Sequence, residues 1–291
     1  MYGCSDKLIK TVSFIFLFLT HYRELLFQIM KFIKRLALVA TVFCFPFYSF
    51  GWGMLGHRIV GQIAESYLTP KAKAALQKIL GTESIAIASN WADFIKSDSS
   101  YNYLSSWHYV DIDSGLTKSQ VKEYLQKDTA TDLYTKLNFV IGQLKNKQLS
   151  MDKKKMYLKL LIHFVGDAHQ PLHVGHHEDQ GGNKIKLTWF GAPTNFHRIW
   201  DDELIDYQQL SYTEYTNVIN HTTAKQRAAW QKQPIANWFI ESYQIAQQLY
   251  TEVQPDQKLG YRYNFDHIQI LNERLLQAGV RLSGLLNELF K

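Results

Sequence analysis

Apolar residues recur every three to four positions through most of the chain after residue 51, the period of helices that bury one face. Gly56 to Leu68 places Ile59, Val60, Ile63, Ala64 and Tyr67 on one such stripe. Thr69-Pro70 then opens a helix over Lys71 to Leu80, because proline fits a first turn, where its missing N–H would go unpaired anyway. The same period predicts helices over Ser89 to Lys96, Thr131 to Leu144, Ser150 to Ala168, Asn195 to Tyr207, Ile235 to Glu252 and Phe265 to Leu289. One stretch departs from it. Lys184-Ile-Lys-Leu-Thr-Trp-Phe190 alternates polar and apolar with period two after Gly181-Gly182, which marks a short strand or hairpin. The expected architecture is all-α, a single mostly helical domain with a small β hairpin.

The helix ending at Ala168 carries polar residues where its pattern asks for none. Met156, Leu160, His163 and Asp167 share one face, while Leu158, Leu161, Ile162, Phe164 and Val165 cover the others, so the helix is buried. An ionised carboxylate in that setting costs several kcal/mol unless it is paired or metal-bound. His163, one turn before Asp167, is placed to share a metal with it. Pro171 ends the helix and His173 follows on a loop. From this stretch alone, a core histidine hydrogen-bonded to a core aspartate fits equally well.

Composition changes most sharply at the N-terminus. From Met30, the basic residues Lys31, Lys34 and Arg35 precede an apolar run from Leu36 to Tyr48 and a small-x-small site, Ser49-Phe50-Gly51, before Trp52. This is the pattern of a secretory signal peptide over 30–51. Residues 1–29 read as an upstream extension, and 52–291 as one catalytic domain. The apolar run is too short for an ordinary membrane span, and nothing later offers eighteen consecutive apolar residues. The mature protein is therefore expected to be exported, periplasmic or secreted, monomeric and without stable membrane association. Without the six basic and two acidic residues of the first 51, the chain's 32 and 26 become 26 against 24. So small an excess is no nucleic-acid signature by itself. Both cysteines, Cys4 and Cys44, fall in the removed segment, which leaves core packing and any metals to hold the fold.

Further metal-type residues lie along the frame: Trp52-Gly-Met-Leu-Gly-His57, Trp91-Ala-Asp93, Trp107-His108-Tyr109-Val110-Asp111 after a polar loop, and His197-Arg-Ile-Trp-Asp201. A His/Asp pair four residues apart is, alone, more often an ordinary hydrogen bond than a metal site. Two such pairs with these companions form a consistent set. With His163-Phe-Val-Gly-Asp167-Ala-His-Gln-Pro-Leu-His173 and Gly181-Gly-Asn183-Lys, they occur in order from Trp52 to Asp201. In this the chain resembles the S1/P1 nucleases, zinc-dependent enzymes with an N-terminal tryptophan, which share a helical fold with zinc phospholipase C.

The resemblance implies three zinc ions. One would be held by Asp93, His108, His163 and Asp167, and a second by His173, His197 and Asp201. The third would be held by His57, Asp167 and the freed amine and carbonyl of Trp52, so that Asp167 bridges two metals. Three dications facing three aspartates leave a positive pocket suited to phosphate. Such a site makes hydroxide near neutral pH and stabilises a leaving 3′-oxygen. The activity implied is hydrolysis of single-stranded DNA and RNA to 5′-nucleotides, with 3′-nucleotidase activity on mononucleotides. Catalysis is assigned to Asp93, Asp167 and Lys96, the last standing where fungal members have an arginine; a lysine lacks the bidentate fork. Tyr109, Asp111 and Asn183 would contact the base. His169, His176, His177, His221 and His267 match no ligand position and read as surface or supporting residues. Two alternatives stay open: a zinc phospholipase C, disfavoured by the Trp-to-His spacing and by aspartate at 201, and a non-catalytic periplasmic zinc-binding protein.

Overall fold

Local capping writes many of the helix starts. In the computed structural model, which describes residues 52–291 together with Met30 alone upstream, α1 (Met54–Ser66) is followed by α2 (Pro70–Leu80). At its start the Thr69 hydroxyl accepts from the Ala72 amide and Pro70 fills the first turn, as expected. The signal-peptide and extension readings lie outside the described residues.

The expected helix over Ser89 to Lys96 is instead broken. α3 (Ile85–Ala88) begins on a Ser84 cap, α4 (Trp91–Phe94) follows, and 3₁₀ stretches cover Ile95–Ser97 and Ser99–His108. The break leaves the Ser89 carbonyl free to accept from His163 Nδ1 at 2.7 Å. The polar loop expected before Trp107 is thus a 3₁₀ run that delivers His108 at its last position.

α5 (Lys118–Lys127) and α6 (Leu133–Leu144) precede α7 (Met151–Asp167), whose last ten residues, Leu158 to Asp167, are all buried. A 3₁₀ turn, Pro171–Val174, replaces the loop expected around His173. Strands β1 (Lys186–Trp189) and β2 (Ala192–Asn195) pair antiparallel, from Lys186 opposite Asn195 to Trp189 opposite Ala192. Phe190 and Gly191 make the two-residue turn, both with positive φ, +46° and +85°, as a hairpin turn matched to strand twist requires. A third strand, β3 (Lys258–Leu259), pairs parallel with β1 and extends the hairpin to three strands.

The segment after β2 is α8 (Phe196–Arg198), a π turn (Ile199–Glu203) and α9 (Leu204–Asp206), then α10 (Tyr212–Ile219), α11 (Ala224–Gln231), α12 (Ile235–Glu252) and α13 (Tyr261–Leu289). The π turn, like many at functional sites, overlaps the second His/Asp pair and carries Asp201. α13 lies along α1 at Gly279, where a Cβ would sit 2.5 Å from Ile63. Buried residues of α1, α6, α7, α12 and α13 share one hydrophobic core, and α7 carries its polar end into it.

Candidate metal centre

Asp167 stands at the C-terminal end of α7 with no solvent exposure, and its two oxygens face different partners. Oδ2 lies 3.1 Å from His108 Nδ1 and 3.2 Å from His163 Nε2. Oδ1 lies 3.3 Å from His57 Nε2, without hydrogen-bond geometry. α1 brings His57 there because Gly166 has no side chain: a Cβ at that position would sit 2.7 Å from His57 Nδ1. The His57 ring stacks on His163 with centroids 3.8 Å apart. Gly56 plays a similar part toward Trp52, whose buried side chain would meet a Cβ at 3.0 Å.

Three buried groups of donor atoms result: His57, His163 and Asp167; Asp93, His108 and His163; and His173, His197 and Asp201. In the second, His163 Nε2 is 3.0 Å from His108 Nδ1, and these nitrogens are 3.8 and 3.9 Å from Asp93 Oδ1. In the third, His197 Nε2 stands 3.3 Å from His173 Nε2 and 3.1 Å from Asp201 Oδ2, and His173 Nε2 3.7 Å from Asp201 Oδ1. Ligands bonded at about 2.0–2.1 Å around a tetrahedral zinc stand roughly 3.3 Å from one another, so these separations fit one cation within the second group and one within the third.

The tautomers agree. Carbonyl oxygens accept from His163 Nδ1 (Ser89, 2.7 Å), His173 Nδ1 (His108, 2.5 Å) and His197 Nδ1 (Gly181, 2.6 Å). Each bond leaves the Nε2 lone pair pointing into its group, the arrangement that orients metal-binding imidazoles. Lone pairs that converge this way repel unless a cation lies between them. Both ring nitrogens of His57, His108 Nε2 and Asp167 Oδ1 are buried without a hydrogen-bond partner, and a cation would satisfy those that face the groups.

The buried carboxylates and imidazoles shift one another's pKa values in opposite directions. Burial alone would raise Asp93, but His163, Lys96 and His108 outweigh it and hold its pKa at about 2. Asp167 is held well below its ordinary value against the same desolvation, chiefly by His163 and His173. Burial and the Lys96 charge push His108 down to about 4, and burial with His163 lowers His57. His163 and His173 go the other way: burial opposes their charge, but Asp167 helps raise both, His173 to about 9. The carboxylates that would face cations thus favour positive charge on these two imidazoles.

Eight of the nine residues expected as ligands fall in these three groups, and Trp52 packs its ring against Gly56 and near Gly166. Lys96 Nζ donates to Asp93 Oδ1 at 2.7 Å and is partly exposed. Tyr109 is 43% exposed just past His108. The extended segment it begins is pinned beside the site, with Val110 N donating to the His173 carbonyl at 2.9 Å. Asp111 and Asn183 bond elsewhere, Asp111 to exposed His177 at 3.0 Å and Asn183 to the Gln180 carbonyl at 2.8 Å. Gln170 was not singled out from the sequence, although it lies between ligand positions. Its amide donates to Asp201 Oδ1 at 2.6 Å and its oxygen accepts from Leu172 N, so one side chain ties the 3₁₀ turn to the second His/Asp pair.

A model of a protein family described as S1/P1 Nuclease matches residues 52–291. The chain is 30% identical over 270 residues to Endonuclease 4 of Arabidopsis thaliana, covering 82% of this chain and 89% of that protein. Endonuclease 3 of the same plant is 29% identical over 264 residues with the same coverage. Nuclease P1 of Penicillium citrinum is 31% identical over 156 residues, 52% of this chain and 57% of that protein.

Proposed function

The chain belongs to the S1/P1 nuclease family, and we propose that it is an exported zinc-dependent phosphodiesterase cleaving single-stranded DNA and RNA to 5′-nucleotides, with 3′-nucleotidase activity. The observation that carries this is the division of Asp167, Oδ1 toward His57 and Oδ2 toward His108 and His163. A buried carboxylate so divided is suited to two cations, and multinuclear sites of this kind serve phosphoester hydrolysis.

In this reading residues 30–51 are the export signal and 52–291 the catalytic domain, acting as a monomer in the periplasm or outside the cell. Asp93, His108, His163 and Asp167 hold one zinc, and His173, His197 and Asp201 another. His57 and Asp167 would hold the third with the Trp52 carbonyl and the Trp52 amine, the latter set free by cleavage after Gly51. Zinc bound there supplies Lewis acidity, which brings the pKa of water toward neutrality and offsets phosphate charge.

The chain's own side chains do the rest. Lys96, held at Asp93 yet partly exposed, can offer its ammonium to a phosphate oxygen. Ser89, His108 and Gly181 keep three imidazoles in the ligand tautomer through their carbonyls. Gln170 steadies Asp201. Tyr109 offers an exposed ring on which any base can stack, and Asp111 and Asn183 can meet base edges once they exchange their present partners. Because a paired base must first leave its duplex at a cost of a few kcal/mol, single strands are the favoured substrate.

The test is digestion of single-stranded DNA, duplex DNA, RNA, a 3′-nucleotide and a phospholipid by protein beginning at Trp52, with and without chelator. Chelator-sensitive release of 5′-nucleotides from single strands is expected. Turnover of the phospholipid alone would mark a phospholipase C, and tight zinc binding without turnover a zinc-binding protein.

A further inference from the structure

The charge of the mature chain is not evenly spread. Residues 136–159, from within α6 through the turn into α7, carry seven lysines and one acidic residue, Asp152, which leaves the rest of the chain after Gly51 at 19 basic against 23 acidic. Lys145, Lys147 and Lys153 are exposed. Against this hairpin lies the 3₁₀ run Ser99–His108, which has no acidic residue and four aromatic or imidazole rings.

The rings form a continuous array. Tyr101 stacks near Tyr103 (6.2 Å), Tyr103 meets Trp107 edge-on (5.5 Å), Trp107 meets Phe139 (6.3 Å), and Phe139 meets Tyr157 (5.8 Å). Lys136 Nζ stands 4.9 Å from the Trp107 ring centre and 5.5 Å from that of Phe139. Apolar burial does not account for two of its members, since Tyr103 is 50% and Phe139 41% exposed. At about 2 Å of rise per residue, Tyr103 is roughly 10 Å along the run from His108.

We propose that this face is an extended binding track for single-stranded nucleic acid, running from the metal centre along Ser99–His108 onto the lysine-rich α6–α7 hairpin. The inference rests on the nuclease reading and adds a preference for long strands. Charge complementarity names the occupant: exposed aromatic faces take bases of any identity while lysines follow the phosphates. Continuity supports it, since Trp107 of the array immediately precedes His108 in the chain and both rings pack on Phe164.

The experiment compares the zinc-loaded enzyme with two variants, Lys145→Gln/Lys147→Gln/Lys153→Gln and Tyr103→Ala/Phe139→Ala, on a thirty-nucleotide single strand and on a dinucleotide. Both variants should raise KM for the long strand about fivefold or more and leave dinucleotide turnover unchanged. The triple variant should also flatten the salt dependence of long-strand KM by about two in log–log slope, three charges at about 0.7 each. A long-strand KM and salt slope matching the unaltered enzyme would overturn the track. So would loss in the triple variant of binding to anionic phospholipid vesicles with strand kinetics intact, which would mark a membrane-binding face. If the unaltered enzyme cleaves neither substrate, it is the nuclease reading that fails.

Discussion

Two buried polar clusters meet at the C-terminal end of α7, and they are built on opposite rules. On one side of the turn after Asp167, nitrogen and oxygen lone pairs converge on one another in three groups. On the other side, His169 sits with no exposure between two buried arginines. Its Nδ1 bonds the Val165 carbonyl and its Nε2 is 2.8 Å from Arg281 Nη1. Arg274 donates to the His169 carbonyl, Ser242 Oγ and Glu241, and Arg281 donates to Glu241 and Gln233. Apart from Arg281 Nε, the side-chain donors and acceptors of these two arginines and His169 are matched within the protein. Buried polarity is therefore no mark of function by itself. Several histidine nitrogens and carboxylate oxygens converging on one point are the mark, because a cation or displaceable protons must lie among them.

The sharpest way to break this contrast is to alter the shared carboxylate. Asp167→Asn should lose more than ~100-fold in activity and more zinc per chain than Asp201→Asn, because only Asp167 divides its oxygens between groups. Metal analysis of the two purified variants checks it, and equal zinc losses would remove the bridging role.

Alterations of the matched cluster should act on stability instead. Arg281→Met leaves Glu241 with Arg274 alone and His169 Nε2 without a partner; breaking such a pair is worth about 3–5 kcal/mol where it is fully buried, and less here because Glu241 is partly exposed and keeps one arginine. Denaturant unfolding should show the loss while zinc content per folded chain stays at the unaltered level. A variant that folds normally yet loses zinc would mean that the two clusters are one system.

A third outcome separates the clusters by their protons. His163 and His173 have raised pKa values, His173 about 9, so zinc must displace protons to use their lone pairs. Zinc affinity should therefore rise with pH below about 9, and calorimetry in buffers of different ionisation enthalpy should detect protons released. Chelation should correspondingly lower Tm, since zinc at a hundred times its Kd contributes about 2.7 kcal/mol per site. Affinity independent of pH would contradict the assignment of protons to these imidazoles.

How much of this was legible in the sequence depended on the range of each interaction. α7 could be read directly, because apolar residues on every face leave His163 and Asp167 conspicuous. α5 and α11 could not: α5 buries only Val121 and Leu125, and α11 buries nothing. Their capping boxes, Thr117 with Gln120 and Thr223 with Gln226, were the available local signal. α13 starts at Tyr261 rather than Phe265, since both residues are exposed and contribute no stripe. The expected ligand set came from the resemblance that the ordered motifs carry, but the partners of His169 could not be read in this way. Its partner Arg281 lies 112 residues away, and no spacing in the chain connects them.

The smallest effect concerns Glu241, the one carboxylate shared by both arginines. Burial would raise its pKa, but the hydrogen bonds and charge of Arg281, with those of Arg274, overcome this and hold it below its ordinary 4.5. A depressed folded-state pKa means that the unfolded chain takes up this proton first as pH falls. The stability Glu241 contributes is thus complete above about pH 4.5 and is lost as pH drops through the folded-state value. Glu241→Gln removes the titration, so the stability gap between it and the unaltered protein should be constant above about pH 5 and narrow below 4.5, by about 1 kcal/mol or less. Measured by denaturant unfolding in chelator, the comparison is made with the metal centre open in both proteins, and its aspartates titrate alike in each. A gap that stays level through the acid range would show that Arg274 and Arg281 draw their stabilisation from their neutral acceptors, Gln233, Ser242 and the carbonyls, rather than from the charge of Glu241.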